Sequence, residues 1–235
     1  MSTTKLNHPQ LIAKRRTLLL VALASPILLA LPLSASDSAT VGFSLDFPNS
    51  TPEHYSFSIQ PDGQTHYESS GRISNDSDER SEYQTDFSFS DATRARIFAL
   101  AAQAHYFSGK VDSGNKKLAF TGAKKLTYKD GQRNNTAAYN FSSQPAIQQL
   151  TTLFQSVAAT LEYGRRLSFY HQYQKLALDD ELKHMEDQAR RGELAEIQAV
   201  KPVLQQMYQD SSVINVVRAR AERIMEMKST PTSGS

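Results

Sequence analysis

The hydrophobic pattern of this chain is mainly of period two before residue 142, interrupted by one helical stretch, and of helical period after it, and that contrast limits the fold more than any other feature. In Val41-Gly42-Phe43-Ser44-Leu45-Asp46-Phe47 every odd position is apolar, the signature of a strand with one buried face. Tyr55, Phe57 and Ile59 repeat the pattern against Ser56, Ser58 and Gln60. Pro61-Asp62-Gly63 then predicts a tight turn, because proline presets φ and glycine accepts φ > 0. A returning strand is expected over 64–69, centred on Tyr67, and another through Tyr83, Thr85, Phe87 and Phe89. Ser90 is placed to cap a helix, with Asp91 at its positive end. The apolar positions Ile97, Leu100, Ala101, Ala104 and Phe107 carry that helix to about residue 107, before Gly109. Strands resume through Leu118 and Phe120, then Leu126 and Tyr128. Asp130-Gly131 signals a hairpin, and Ala137, Tyr139 and Phe141 form its return.

Beyond residue 142 the spacing becomes helical. Ile147, Leu150, Phe154, Val157 and Leu161 make one apolar stripe. Gly164 is a point where this helix bends or ends, and the stripe continues through Leu167, Tyr170 and Leu176. Asp179 is expected to cap the next helix, with Leu182, Met185 and Ala189 on one face and Gly192 at its end. Leu194, Ile197, Val200 and Leu204 predict another helix, restarted near Pro202. Asp210-Ser211-Ser212 would cap the last, burying Val213, Val216, Val217, Ile224 and Met227. The expected fold class is α+β: a mainly antiparallel sheet over 37–142, then a helical bundle over 143–228, with a disordered tail at 229–235. The segments 55–89 and 124–141 each run through an Asp-Gly-Gln turn to Phe-Ser and a helix. This echo is either a duplicated β-hairpin–helix unit or the common reuse of Asp-Gly in hairpins.

Residues 1–16 carry Lys5, Lys14, Arg15 and Arg16 and no acid, and residues 17–33 run TLLLVALASPILLALPL. Ser34 and Ser36 then stand at the −3 and −1 positions of a cut before Asp37. This basic, apolar, small-residue order predicts a secretory signal over 1–36. The alternative is an uncleaved anchor through 17–33, which Pro26 and Pro32 weaken. Both place the body outside the cytoplasm, periplasmic or secreted. The sequence contains no Cys, so disulfides, thiolate metal sites, cysteine nucleophiles and lipoprotein anchoring are excluded, and packing alone must stabilise the body.

Catalytic signatures are missing: no GxSxG, GxxxxGK[ST], HExxH or GxGxxG occurs. Of the histidines after residue 36, His54 and His66 flank the 61–64 turn and fall on the polar side of their strands. Glu181-x-x-His184 has the spacing of a di-iron ligand pair, but no second such pair follows. Asn75-Asp76-Ser77-Asp78-Glu79-Arg80-Ser81-Glu82 gathers hard oxygen ligands. Counting from Asp76 puts Ser81 where a calcium loop needs Gly, and Arg80 at a ligand position. It is read as a solvated loop, with a loose calcium site as the alternative. No cofactor or metal is expected.

The charge is segregated. Residues 37–91 hold 11 acids and two Arg, net −9, whereas 92–142 hold nine Lys and Arg and two Asp, net +7. The basic block comprises Lys110, Lys116, Lys117, Lys124, Lys125, Lys129 and Arg133, interleaved with Phe120 and Tyr128. Either opposite charges face one another across strands, or the cations gather on one exposed face and attract an anionic partner. Outside the cytoplasm that partner is an anionic envelope polymer, a lipid surface or an acidic protein; nucleic acid is not expected. The leading functional expectation is a non-catalytic binding or interaction module of the cell envelope. One alternative is an exported hydrolase using paired carboxylates such as Asp46, Glu68 or Asp86. The other is a membrane-tethered scaffold whose helices self-associate through the 147–161 stripe.

Overall fold

In the computed structural model of the 235-residue chain, the described residues are 1–3, 39–73 and 79–227. The secretory or anchoring stretch at 17–33 and the tail at 229–235 lie outside them. All the elements below lie within the unit Ala35–Ser235. Among the described residues no helix is long and apolar enough to cross a membrane.

The chain is α+β, as its periodicity requires. Strands β1 (Thr40–Asp46), β2 (His54–Ile59), β3 (Gln64–Arg72) and β4 (Arg80–Ser88) precede helix α1 (Asp91–Gln103). Strands β5 (Ala123–Lys129) and β6 (Asn134–Tyr139) follow, then helices α2 (Pro145–Tyr173), α3 (Leu178–Arg190), α4 (Lys201–Gln209) and α5 (Asn215–Glu226). The six strands form one antiparallel sheet in the order β4-β3-β2-β1-β5-β6. β1 therefore separates the two hairpins, and the first of them is extended by β4 into a three-stranded meander.

Alternation decides which sheet face is covered. Val41, Phe43 and Leu45 of β1 lie level with Ile59, Phe57 and Tyr55 of β2, and Phe43 lies level with Leu126 of β5. All are buried in one apolar cluster with the stripe of α2. Phe154 stacks on Phe43 at 4.9 Å and lies 5.4 Å from Phe57, geometry worth ~0.5–1.5 kcal/mol per pair beyond area burial. Helices α3 and α4 pack on α2, and α5 packs on α3 and α4, so a single apolar cluster runs from Val41 to Ile224.

Local chemistry sets several element ends. Ser90 caps α1, its hydroxyl accepting from the Thr93 amide. Ser90 and Thr93 in turn donate to Glu196, which pins the α3–α4 connection there. Gly192 ends α3 with φ 71°, as a left-handed C-terminal residue does. The expected break at Gly164 is corrected: α2 runs through it. A Cβ there would lie 2.6 Å from Val200 Cγ1, so this glycine is a notch that lets the next segment approach. Nor does α1 reach Phe107. His105, Tyr106 and Phe107 take φ of 50, 54 and 63°, at a cost of about 1–2 kcal/mol per residue. Asn135 Nδ2 donates to the Tyr106 carbonyl and the Arg133 guanidinium lies 4.3 Å over the Tyr106 ring. The reversal drops Phe107 into the core. Asp179 lies inside the first turn of α3, after its N-cap Ala177, and Ile214, not Asp210, precedes α5. Leu176, beyond the end of α2, and Val216 are exposed where the pattern placed them inside.

Candidate interaction surface

The structure does not gather the seven basic residues on one face. Lys125 and Lys129 stand on the uncovered face of β5, level with Ser44 and Thr40 of β1. Lys110, Lys116 and Lys117 are exposed in the connection between α1 and β5. Arg133 is held locally, paired with Asp130 at 2.7 Å and stacked on Tyr106. Lys124 is turned inward at 5% exposure, level with Leu45 and Tyr139 on the covered side. Burial pulls its pKa below the usual lysine value. Four acceptors nevertheless surround the ammonium: the carbonyls of Thr121, Gly122 and Asn140 at 3.0–3.2 Å and the Thr121 hydroxyl at 2.9 Å. Lys124 therefore belongs to the architecture, not to an exposed patch, because strand parity aims it at the core.

What Lys124 holds is the segment the alternation of Leu118 and Phe120 predicted to be a strand. It is an exposed loop over 114–121. Apolar alternation with no partner strand in reach cannot form a ladder, and β1 is already paired on both edges, with β2 and β5. Side chains fasten the loop from within. Asn140 accepts from the Thr121 amide at 2.9 Å and donates to the Ala119 carbonyl at 3.0 Å. Asp112 accepts from the amides of Asn140 and Gly114, which hold its carboxyl below the usual range. Asn115 Oδ1 accepts from the Lys117 amide. Gly122 has φ 96°, and a Cβ there would lie 3.1 Å from Phe47 Cβ, so only glycine lets the loop pass the end of β1. The Phe47 and Phe120 rings meet edge to face at 5.8 Å.

Neither explanation of the charge segregation appears in simple form. Lys110, Lys116, Lys117, Lys125 and Lys129 make no ion pair among the described residues, while Asp46 of β1, Glu68 of β3 and Asp86 of β4 find other partners. Asp46 bonds His54 at 2.6 Å, Asp86 bonds His66 at 2.7 Å, and Glu68 accepts from Ser56 at 2.9 Å. Glu53 pairs with Arg80. The uncovered face thus runs from acidic positions on β3 and β4, through small Ser, Gly and Thr positions on β2 and β1, to lysines on β5. It holds two shallow depressions of about 520 and 280 Å³; His54 and Glu68 line both, and Lys125 borders the smaller.

The three candidate hydrolytic carboxylates lie on this uncovered face and on separate strands, Asp46, Glu68 and Asp86 on β1, β3 and β4. His54 and His66 do not meet, since His54 is level with Ser70 and His66 with Ser58. The buried carboxylates among the described residues are Glu162, Glu186 and Glu196. Glu162 on α2 accepts from Tyr67 at 2.8 Å and Ser69 at 2.6 Å and pairs with Arg165 at 3.1 Å. Burial, then the neighbouring Glu162 charge, drives the Tyr67 phenol well above its usual pKa. Arg165 reaches the Ser81 carbonyl at 2.8 Å, so the pair clamps α2 to β3 and β4. Glu186 takes Arg190, Arg220 and Arg223, and the Arg223 hydrogen bond most of all, then that of Arg190, holds its carboxyl below the usual range. Glu181 pairs with Arg166 while His184 lies near Asp180, so the two do not converge on one point. The acidic segment at 75–82 falls in part outside the described residues.

Sequence reasoning missed Phe47, Asp112 and Asn140 as parts of this surface. The legible signal was Gly122 after an apolar alternation too short to pair. No protein-family model matches the sequence, and no curated protein matches it.

Proposed function

We propose that this chain is an exported protein of the cell envelope that acts as a binding module for an anionic partner. Its N-terminal stretch, in the basic, apolar, small-residue order of a secretory signal, supports the extracytoplasmic setting. The observation that carries the reading is the set of exposed lysines, Lys110, Lys116, Lys117, Lys125 and Lys129, left without ion pairs among the described residues. Exposed cations that no acid among the described residues neutralises raise the local concentration of an anionic partner. The engagement of each buried carboxylate in clamps and caps supports binding over acid–base hydrolysis. The 147–161 stripe is taken up against the sheet, which argues against self-assembly through it.

The test is retention on immobilised heparin. Substitution of Lys116, Lys117, Lys125 and Lys129 by Ala is expected to lower the eluting salt concentration strongly. Substitution of Lys183 and Lys201 on the helices should leave it unchanged. Equal retention of both variants overturns the reading. Recovery of the intact polypeptide, Met1 included, from the cytosol overturns the exported setting.

A further inference from the structure

We infer that the 114–121 loop seats in the interfacial layer of an anionic lipid bilayer, with Phe47, Leu118 and Phe120 entering it and Lys110, Lys116 and Lys117 at the headgroups. This inference rests on the anionic-partner reading and commits that partner to lipid.

Three observations carry it. Apolar side chains face solvent together at one end of the sheet: Phe120 is 57% exposed, Leu118 40% and Phe47 36%. Phe141, next to the loop-fastening Asn140, is exposed as well. These side chains are held out by a built structure. Buried Lys124, Asn140 and Asp112 fasten the loop from beneath, so the fold presents hydrocarbon that its own core does not take up. Finally, the polar side chains of the segment are spent internally. Asp112, the single acid between residues 108 and 122, is turned onto backbone amides. Ser113 accepts from the Asn115 amide, Asn115 from the Lys117 amide, and the Thr121 hydroxyl from Lys124.

What remains directed outward is ammonium and hydrocarbon. A sugar polymer offers anionic groups and hydroxyls, and would leave Leu118 and Phe120 with no matching surface. An anionic bilayer offers both matches at once: phosphate at the headgroups for lysine, and acyl chains a few ångströms deeper for Leu and Phe. Long lysine stems let the charges stay at the phosphates while the apolar tip goes deeper.

The chain contains no Trp, so Phe120→Trp in the full-length protein is a single local reporter. With phosphatidylglycerol vesicles its emission should shift to the blue and be quenched by bromine-labelled acyl chains; phosphatidylcholine vesicles should do far less. Adding Lys116→Ala and Lys117→Ala should weaken the response about 30-fold, at ~1 kcal/mol per lysine near an anionic surface. Tyr173→Trp, at the exposed end of α2, controls for attachment elsewhere, including through residues 17–33, and should stay unquenched. An unshifted reporter at position 120, or quenching equal to that at 173, overturns the lipid inference. If heparin retention still falls in the quadruple lysine variant, the anionic-partner reading survives that result; if retention is unchanged, both fail.

Discussion

Two buried cations do opposite jobs in this protein. Arg165 sits between α2 and the sheet, where it meets the Glu162 carboxylate, the Ser69 hydroxyl and the carbonyls of Gly71 and Ser81. Lys124 sits at the far side of β1 and meets only neutral oxygens, those of Thr121, Gly122 and Asn140. Arg165 joins elements that already bury hydrocarbon against one another. Lys124 holds out a loop whose own hydrocarbon stays wet. A guanidinium forks between several acceptors and suits the junction of a helix with two strands, whereas an ammonium is a compact point that gathers the carbonyls of one turn. The comparison teaches that buried charge serves cohesion at one end of the sheet and presentation at the other.

Removing each cation separates these roles. Arg165→Ala leaves Glu162 charged and unpaired under α2, and should cost ~3–5 kcal/mol in urea unfolding. A double replacement of Glu162 and Arg165 by apolar residues of similar volume should recover most of that loss. Lys124→Ala strips a donor from three carbonyls near the surface and should cost less, ~1–3 kcal/mol. Its distinctive effect is local: limited proteolysis should accelerate within 112–122, while the Arg165 variant opens throughout. Global loss of protection in both variants would erase the distinction. The smallest expected effect is at a third, exposed cluster. Lys175 above all, then Ser212 and His171, hold the Asp210 carboxyl well below its usual range. The folded carboxyl therefore releases its proton more readily than the unfolded one. Its contribution is present above the ordinary carboxylate range and fades as pH falls through it. Asp210→Asn should flatten that part of the acid limb of Tm between about pH 6 and about pH 2. An unchanged limb would show that this exposed cluster adds nothing, as many surface pairs do.

Much of this fold is legible in the amino-acid sequence. The alternation of Val41, Phe43 and Leu45 named the covered face of β1, and the 147–161 stripe named the helix face that covers it. Ser90 and Gly192 marked helix ends because capping is a local matter of one side chain or one dihedral. The misreadings share a cause. Gly164 looked like a breaker because nothing local reveals Val200 pressing against it. Leu118 and Phe120 looked like strand because period two records amphipathicity, not the presence of a neighbour to pair with. The basic block was visible in composition, but parity alone did not reveal that Lys124 would find carbonyls enough to stay inside.

By itself, the amino-acid order determined the class of the fold, the faces of its strands and long helix, and the separation of charge along the chain, since these follow from side-chain period and short-range backbone preference. Only the tertiary structure decided that β1 lies between the two hairpins, that Lys110, Lys116, Lys117, Lys125 and Lys129 make no ion pair among the described residues, and that Phe47, Leu118 and Phe120 stand in solvent. Those outcomes depend on which distant segments compete for the same hydrogen bonds and the same buried volume, and a one-dimensional pattern carries no record of that competition.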